Sequence, residues 1–217
     1  MPAARSLRIK VGSEQTIRAV TTAARGARWW LVYAPGAGSN IDDPFGRYLA
    51  DELPPHGVAV VRFQFPYQEA GRSGPDRPPV LEATWRAVLD GVRAPGVRLC
   101  AAGRSMGGRI ASQVVATGER VDALALFAYP LHPPVKPEQR RDEHLPAIGV
   151  RTLFCSGTRD NFATIDELRA AAGKMKRARI HVLEGADHGF SVLKSSGRTR
   201  PEVWAEATAA LMDFLKR

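Results

Sequence analysis

Only two cysteines occur in the 217 residues, and 22 acidic side chains face 31 lysines and arginines. No apolar run approaches the ~20 residues that span a bilayer. Each shortage excludes a class of protein. Cys100 and Cys155 stand alone in separate apolar runs. They read as reduced core residues and not as the staples of a small secreted scaffold. The opening stretch MPAARSLRIK has no apolar centre of the kind a signal peptide needs, so a cytoplasmic location is expected and no membrane contact. Internal repeats, low-complexity tracts and composition breaks are also missing, which leaves residues 1–217 as a single domain. The stretch PGAGSN (35–40) supplies Gly36 and Gly38, but Ile41 stands where a dinucleotide fingerprint needs its third glycine, and no GK[ST] follows for a phosphate loop. Neither cofactor nor metal is expected.

The shortage of acid leaves a net charge of +9, which raises the question of nucleic acid. The basic residues are mostly arginines spread along the whole chain. The densest group, KMKRAR (174–179), falls near an expected helix end, where cations suit the macrodipole. No helix-turn-helix, zinc-finger or RNA-binding signature accompanies them. The charge therefore reads as a solvated arginine-rich surface, and no specific nucleic-acid partner is expected.

What is present is an ordinary globular composition, 44% hydrophobic and 24% charged, in a chain long enough for one well-buried domain. LRIKV (7–11) and TIRAV (16–20) alternate as the arms of a hairpin turning at GSEQ. Six short apolar runs then follow: 29–34, 58–65, 97–103, 121–129, 151–157 and 179–185. Runs of this kind read as strands buried on both faces of a parallel sheet. Helical stretches near 44–53, 80–93, 106–117, 164–176 and 201–216 separate or follow them. Thr164 and Glu167 form a capping-box pattern, and Pro201 suits a first helical turn. The expected fold is α/β, a mostly parallel sheet of about seven or eight strands flanked by helices.

In such sheets ligands bind beyond the carboxyl ends of the strands, and there the chemistry gathers. LCAAGRSMGGRI (99–110) sets Ser105 between Gly103 and Gly107 at a strand-to-helix junction. G-x-S-x-G alone arises by chance in roughly one chain in ten of this length. Asp160 follows the strand RTLFCSG, and His188, in GADHGF, follows RIHVLEG. Singly, these are a turn serine, a capping aspartate and a loop histidine. Together they follow the order Ser, Asp, His, each just past a different parallel strand. A serine hydroxyl needs an imidazole to take its proton, and the imidazole needs a carboxylate to fix its tautomer. The competitors fit worse: Asp122 begins its strand, Asp187 adjoins His188, and His132 precedes Asp160.

The stretches GRSMGGR, SGTRD and GADHGF resemble the α/β-hydrolase superfamily, especially its small dienelactone-hydrolase-like members. RFQFPY (62–67) and YPLHPPVKPEQRRDEHL (129–145) are similar to a narrower group of predicted hydrolases. That group includes an animal testis-expressed protein and a subunit of a histone acetyltransferase complex. The resemblance runs from about residue 28 onwards. It implies Ser105 as nucleophile, Asp160 as acid and His188 as base, with main-chain N–H groups of Met106 and Ala37 as oxyanion-hole donors. Two positions depart from the pattern. Dienelactone hydrolases use cysteine where Ser105 stands, and the usual His-Gly after the third strand is Pro35-Gly36.

A serine hydrolase acting on an ester, thioester or similar acyl bond of a small molecule is thus expected. The alternative is a hydrolase-fold protein that mainly binds partners. Only about residues 131–150 are available for a cap, and Pro133, Pro134, Pro137 and Pro146 discourage a long helix there. A minimal cap over an open site is expected. His132, Arg140, Arg141 and Arg72 are the candidate substrate-binding residues, with Lys136 and Arg77 nearby.

Overall fold

The computed structural model describes residues 4–13 and 15–216. Eight strands form one sheet in the order β1-β2-β4-β3-β5-β6-β7-β8. They are β1 (Ala4–Val11), β2 (Gln15–Thr22), β3 (Trp29–Ala34), β4 (Val58–Phe63), β5 (Arg98–Arg104), β6 (Ala123–Phe127), β7 (Arg151–Gly157) and β8 (Ala178–Leu183). β1 and β2 form the expected antiparallel hairpin, and β2 pairs antiparallel with β4. Glu14, within the GSEQ stretch, lies outside the described residues. From β4 to β8 all pairings are parallel. The α/β-hydrolase fold expected from the sequence is the fold observed.

The central strands alternate between two cores because successive strand side chains point to opposite faces. Trp29, Leu31 and Tyr33 of β3 enter one core with Cys100, Ala102, Phe127 and Cys155. Val32 and Ala34 enter the other with Ala101, Leu124 and Phe154. The first core is closed by α1 (Pro44–Glu52) and α6 (Arg200–Lys216) through Phe45, Leu49, Val203, Ala207 and Leu211. The second is closed by α3 (Pro78–Val92), α4 (Met106–Ala116) and α5 (Ile165–Ala172). In α3 the buried Leu81, Trp85, Val88, Leu89 and Val92 fall on one helical stripe. Cys100 and Cys155 are free and fully buried on β5 and β7, with β6 between them. Burial pushes both thiols up, away from the reactive thiolate.

Several element ends differ from the sequence reading, and three of them have a clear local reason. β4 stops at Phe63, and Pro66 opens a four-residue helix, α2 (Pro66–Glu69), too short to show a helical period. β6 stops at Phe127 because Ala128 turns to φ 48° and donates its N–H to Cys155 O. α5 carries the expected Thr164–Glu167 capping box but ends at Ala172, before Gly173.

The chain passes from β3 to β4 on one side, then crosses back to β5 on the other. The crevice at this reversal, outside the carboxyl ends of β3 and β5, is where a doubly wound sheet opens a binding site.

Candidate active site

At that crevice lies a cleft of about 520 Å³ lined by residues that include Gly36, Ala37, Arg104, Ser105, Met106, Arg109, Arg141, Phe162 and His188. Its floor is the turn from β5 to α4. Ser105 takes φ 51° and ψ −121°, a conformation that L-residues rarely adopt. Its N–H donates to Phe127 O (2.9 Å), and its carbonyl accepts the N–H of Arg109 (3.0 Å). The turn is tight enough to require glycine on both sides. A Cβ on Gly103 would stand 2.5 Å from Gly107 C, and one on Gly107 would stand 2.4 Å from Ala34 O. Trp85 Nε1–H of α3 donates to Gly107 O (3.1 Å), so the helix behind the turn holds it as well.

Three side chains from separate strand ends meet here. Ser105 Oγ lies 2.8 Å from His188 Nε2. His188 Nδ1 lies 2.9 Å and 3.0 Å from the two carboxylate oxygens of Asp160. Asp160 is almost wholly buried and also accepts the N–H of Phe162 (2.8 Å). The Phe162 ring stacks on the imidazole at 4.0 Å between centroids, which fixes the plane of His188. With Nδ1–H donating to Asp160, the Nε2 lone pair faces the serine hydroxyl.

Met106 is the first residue of α4, so its N–H has no acceptor within the helix. Ala37, in the loop after β3, lines the same cleft. That loop is clamped by α2: Tyr67 Oη donates to Ala37 O (2.8 Å) and the Gln68 amide donates to Ser39 O. Burial, with Asp76 nearby, pushes the Tyr67 hydroxyl up to about 12, so it remains a donor.

The expected substrate-binding residues separate. Arg141 lines the cleft. Arg140 turns away to Asp142 (2.6 Å) and Glu167 (3.3 Å). His132 is buried, its Nδ1 2.8 Å from Pro133 O and its Nε2 3.4 Å from Glu167. Arg72, itself outside the cleft lining, pairs with Asp76 of that lining (2.5 Å), and Arg77 and Lys136 are solvent-exposed. The competing aspartates have structural partners. Asp122 accepts Leu99 N–H (2.8 Å), and Asp187 accepts the N–H groups of Gly189 and Ser191 (both 2.8 Å).

Arg104, Arg109 and Phe162 line the cleft without having been singled out in the sequence. Arg109 was accessible to reasoning, since it lies four residues beyond Ser105 on the same helix face. Phe162 carried no signal beyond its place two residues after Asp160.

A second serine–histidine pair joins α4 to the loop after β6, Ser112 Oγ with His144 Nε2 at 2.7 Å. Its chemistry is different. Ser112 is fully buried and gives its proton to Arg109 O (2.6 Å). His144 must then donate from Nε2, so no lone pair is aimed at the hydroxyl. Burial, reinforced by the charge of Arg109, lowers the imidazole to about 4. The pair is a neutral strut.

Among the described residues no group of three or more His, Cys, Asp or Glu side chains is placed to hold a metal ion. Nor is any helix long and apolar enough to cross a membrane.

Residues 27–216 match the family described as alpha/beta hydrolase domain. The chain is similar to a dienelactone hydrolase from Anabaena variabilis, with TM-score 0.79, 22% identity and 98% of each chain covered. It is also similar to an alpha-beta serine hydrolase homologue from Coxiella burnetii, with TM-score 0.75, 21% identity and 97% and 98% of the two chains covered. A third likeness is to a serine hydrolase without lid from Xanthomonas campestris, with TM-score 0.73, 17% identity and coverage of 97% and 94%.

Proposed function

Because the chain belongs to the alpha/beta hydrolase domain family, we propose that it is a serine hydrolase cleaving an ester, thioester or similar acyl bond through an acyl-enzyme. The observation that carries this reading is the Ser105–His188–Asp160 relay, with contacts of 2.8 Å and 2.9 Å on the two ring nitrogens.

His188 Nε2 takes the Ser105 proton as Oγ attacks the scissile carbonyl carbon. The carbonyl oxygen becomes an oxyanion, and the N–H groups of Met106 and Ala37 stabilise it. The imidazolium, its charge offset by Asp160, then protonates the leaving group as the acyl C–X bond breaks. Water repeats the sequence on the acyl-enzyme, with His188 again taking a proton and returning it to Ser105. No step needs a bound cofactor. The strained Ser105 backbone holds Oγ at the cleft floor before substrate arrives, so no reorganisation is needed at the moment of attack.

Labelling by a fluorophosphonate tests the reading directly, because only an activated serine reacts. Wild type should label and turn over a 4-nitrophenyl ester, while Ser105→Ala should lose both and keep its circular dichroism. A mutant with more than a few per cent of wild-type turnover would remove Ser105 from the mechanism. The buried free thiols fit a reducing compartment, which supports a cytoplasmic location. The YPLHPP and RDEHL stretches support placement in the narrower group of predicted hydrolases.

A further inference from the structure

The cleft carries more positive charge than its own acids balance. Arg104 is held by Asp43 (3.1 Å), and Asp76 in the lining is held by Arg72 (2.5 Å) and by the N–H of Tyr67 (2.8 Å). His188 faces Asp160. Arg109 and Arg141 remain. Among the described residues neither guanidinium has a carboxylate within 4.0 Å. Arg109 reaches only the side-chain carbonyl of Gln113 (3.3 Å), and its Nε is buried with no partner at all. A guanidinium presents five N–H donors in a fixed fork, and leaving them desolvated and unpaired is costly.

Both arginines are placed and not merely present. Arg109 is four residues beyond Ser105 on α4, so its side chain lies on the same helix face, directed back towards the nucleophile. The backbone of Arg141 is fixed at both ends: its N–H donates to Leu131 O (2.8 Å) and its carbonyl accepts Tyr129 Oη (2.8 Å). The Ser112–His144 strut ties the Arg109 carbonyl to the loop that carries Arg141. Burial, and next the neighbouring charge of Arg141, lowers the hold of Arg109 on its proton. Two like charges kept close in a partly dry cleft are relieved by an anion between them.

We propose that Arg109 and Arg141 form an anion subsite of the cleft, which selects acyl substrates carrying a carboxylate or phosphate close to the scissile carbonyl. The substrate part of this inference rests on Ser105 being the nucleophile; the anion site itself does not.

The test compares two matched esters, the 4-nitrophenyl monoester of glutaric acid and its methyl-capped neutral counterpart. In wild type at low salt, kcat/KM should favour the anionic ester, and added salt should shrink the preference. Arg141→Gln should lower the anionic-to-neutral ratio roughly tenfold or more, the scale of a lost charge-assisted pair. Arg109→Lys, which keeps the charge but loses the fork, should lower it less. Arg140→Gln, paired outside the cleft, should leave the ratio as it is. A second readout needs no turnover: glutarate or inorganic phosphate should raise the melting temperature of wild type but not of Arg141→Gln, and the more effective anion identifies the group. A wild-type ratio near one without stabilisation by either anion overturns the subsite while the hydrolase stands. Anion stabilisation lost in Arg141→Gln, together with no turnover and no fluorophosphonate labelling, supports the subsite and sinks the hydrolase.

Discussion

Asp160 shows how much of the proposed chemistry depends on the orientation of one carboxylate. One of its oxygens accepts the Phe162 N–H while both approach His188 Nδ1. In Asp160→Asn the amide oxygen would keep the Phe162 bond and turn its NH₂ towards the imidazole. Nδ1 would then have to accept, the proton would move to Nε2, and the ring would lose the lone pair that serves Ser105. The variant should fold as wild type and lose roughly 10⁴-fold in kcat. Loss of less than tenfold would show that Asp160 does not set the tautomer. At this scale the sequence was informative about residue type and chain order, which placed Ser105, Asp160 and His188 after three parallel strands. It was blind to partners. Arg140 and Arg141 are adjacent in sequence and alike in chemistry, yet one is neutralised by Asp142 and Glu167 while the other faces the cleft. Nothing in one dimension separates them.

The elements that read clearly were the apolar runs and the longer helical stretches, and those that did not are the ones that shape the site. The apolar runs of β3, β5, β6 and β7 announced strands buried on both faces, and the stretch near 80–93 read as a helix, observed as α3 (Pro78–Val92). α2 was missed because four residues contain barely one helical turn, although its Tyr67 and Gln68 clamp the loop bearing Ala37. The link between α4 and the loop after β6 was also hidden, since Ser112 and His144 are far apart in sequence. That link makes a pH prediction. The imidazole of His144 lies near 4 in the folded protein and near 6.5 once unfolded. The unfolded chain therefore binds the proton more tightly. Stability from this group is complete above pH 6.5, falls as the pH drops from there to about 4, and is wholly lost below. After allowance for partial exposure the loss is about 2 kcal/mol. Asp142, held low mainly by its hydrogen bond from Arg140, and Glu167, held low mainly by the Thr164 N–H, lose stability in the same direction. The measurement must therefore be a difference. In urea titrations at pH 7 and pH 4.5, His144→Gln, whose amide can still donate to Ser112, should lose less stability on acidification than wild type. Equal losses in the two proteins would mean that His144 is not the proton acceptor.

At the scale of the whole molecule, what matters is what the fold leaves uncovered. The sheet delivers its chemistry to one edge, and the connection between β6 and β7 passes beside that edge. Residues 128–150 of this connection contain no α-helix, only a single 3₁₀ turn at Leu145–Ala147. The prolines counted against a helix in the sequence are accompanied by hydrogen bonds that pin the segment down: His132 N–H donates to Phe162 O (3.2 Å) and Arg141 N–H to Leu131 O (2.8 Å). It is a tethered rim with no hinged cover. The side chain of His188 stays 22% exposed, so substrate and water reach the relay without a conformational step. Long acyl chains need an extended apolar surface to leave water, and this cleft sets Leu81, Met106, Phe162, Pro75, Pro78 and Pro130 around Arg104, Arg109 and Arg141, which break that surface up. A lipid-adapted site would bury such chains against a mostly apolar wall. Acetyl to hexanoyl 4-nitrophenyl esters should therefore be turned over with higher kcat/KM than palmitoyl esters. The rate on tributyrin should rise smoothly through its solubility limit, since there is no lid for an interface to open. A jump in rate at that limit, or a preference for palmitoyl esters, would require a cover or a long apolar channel that residues 128–150 do not provide.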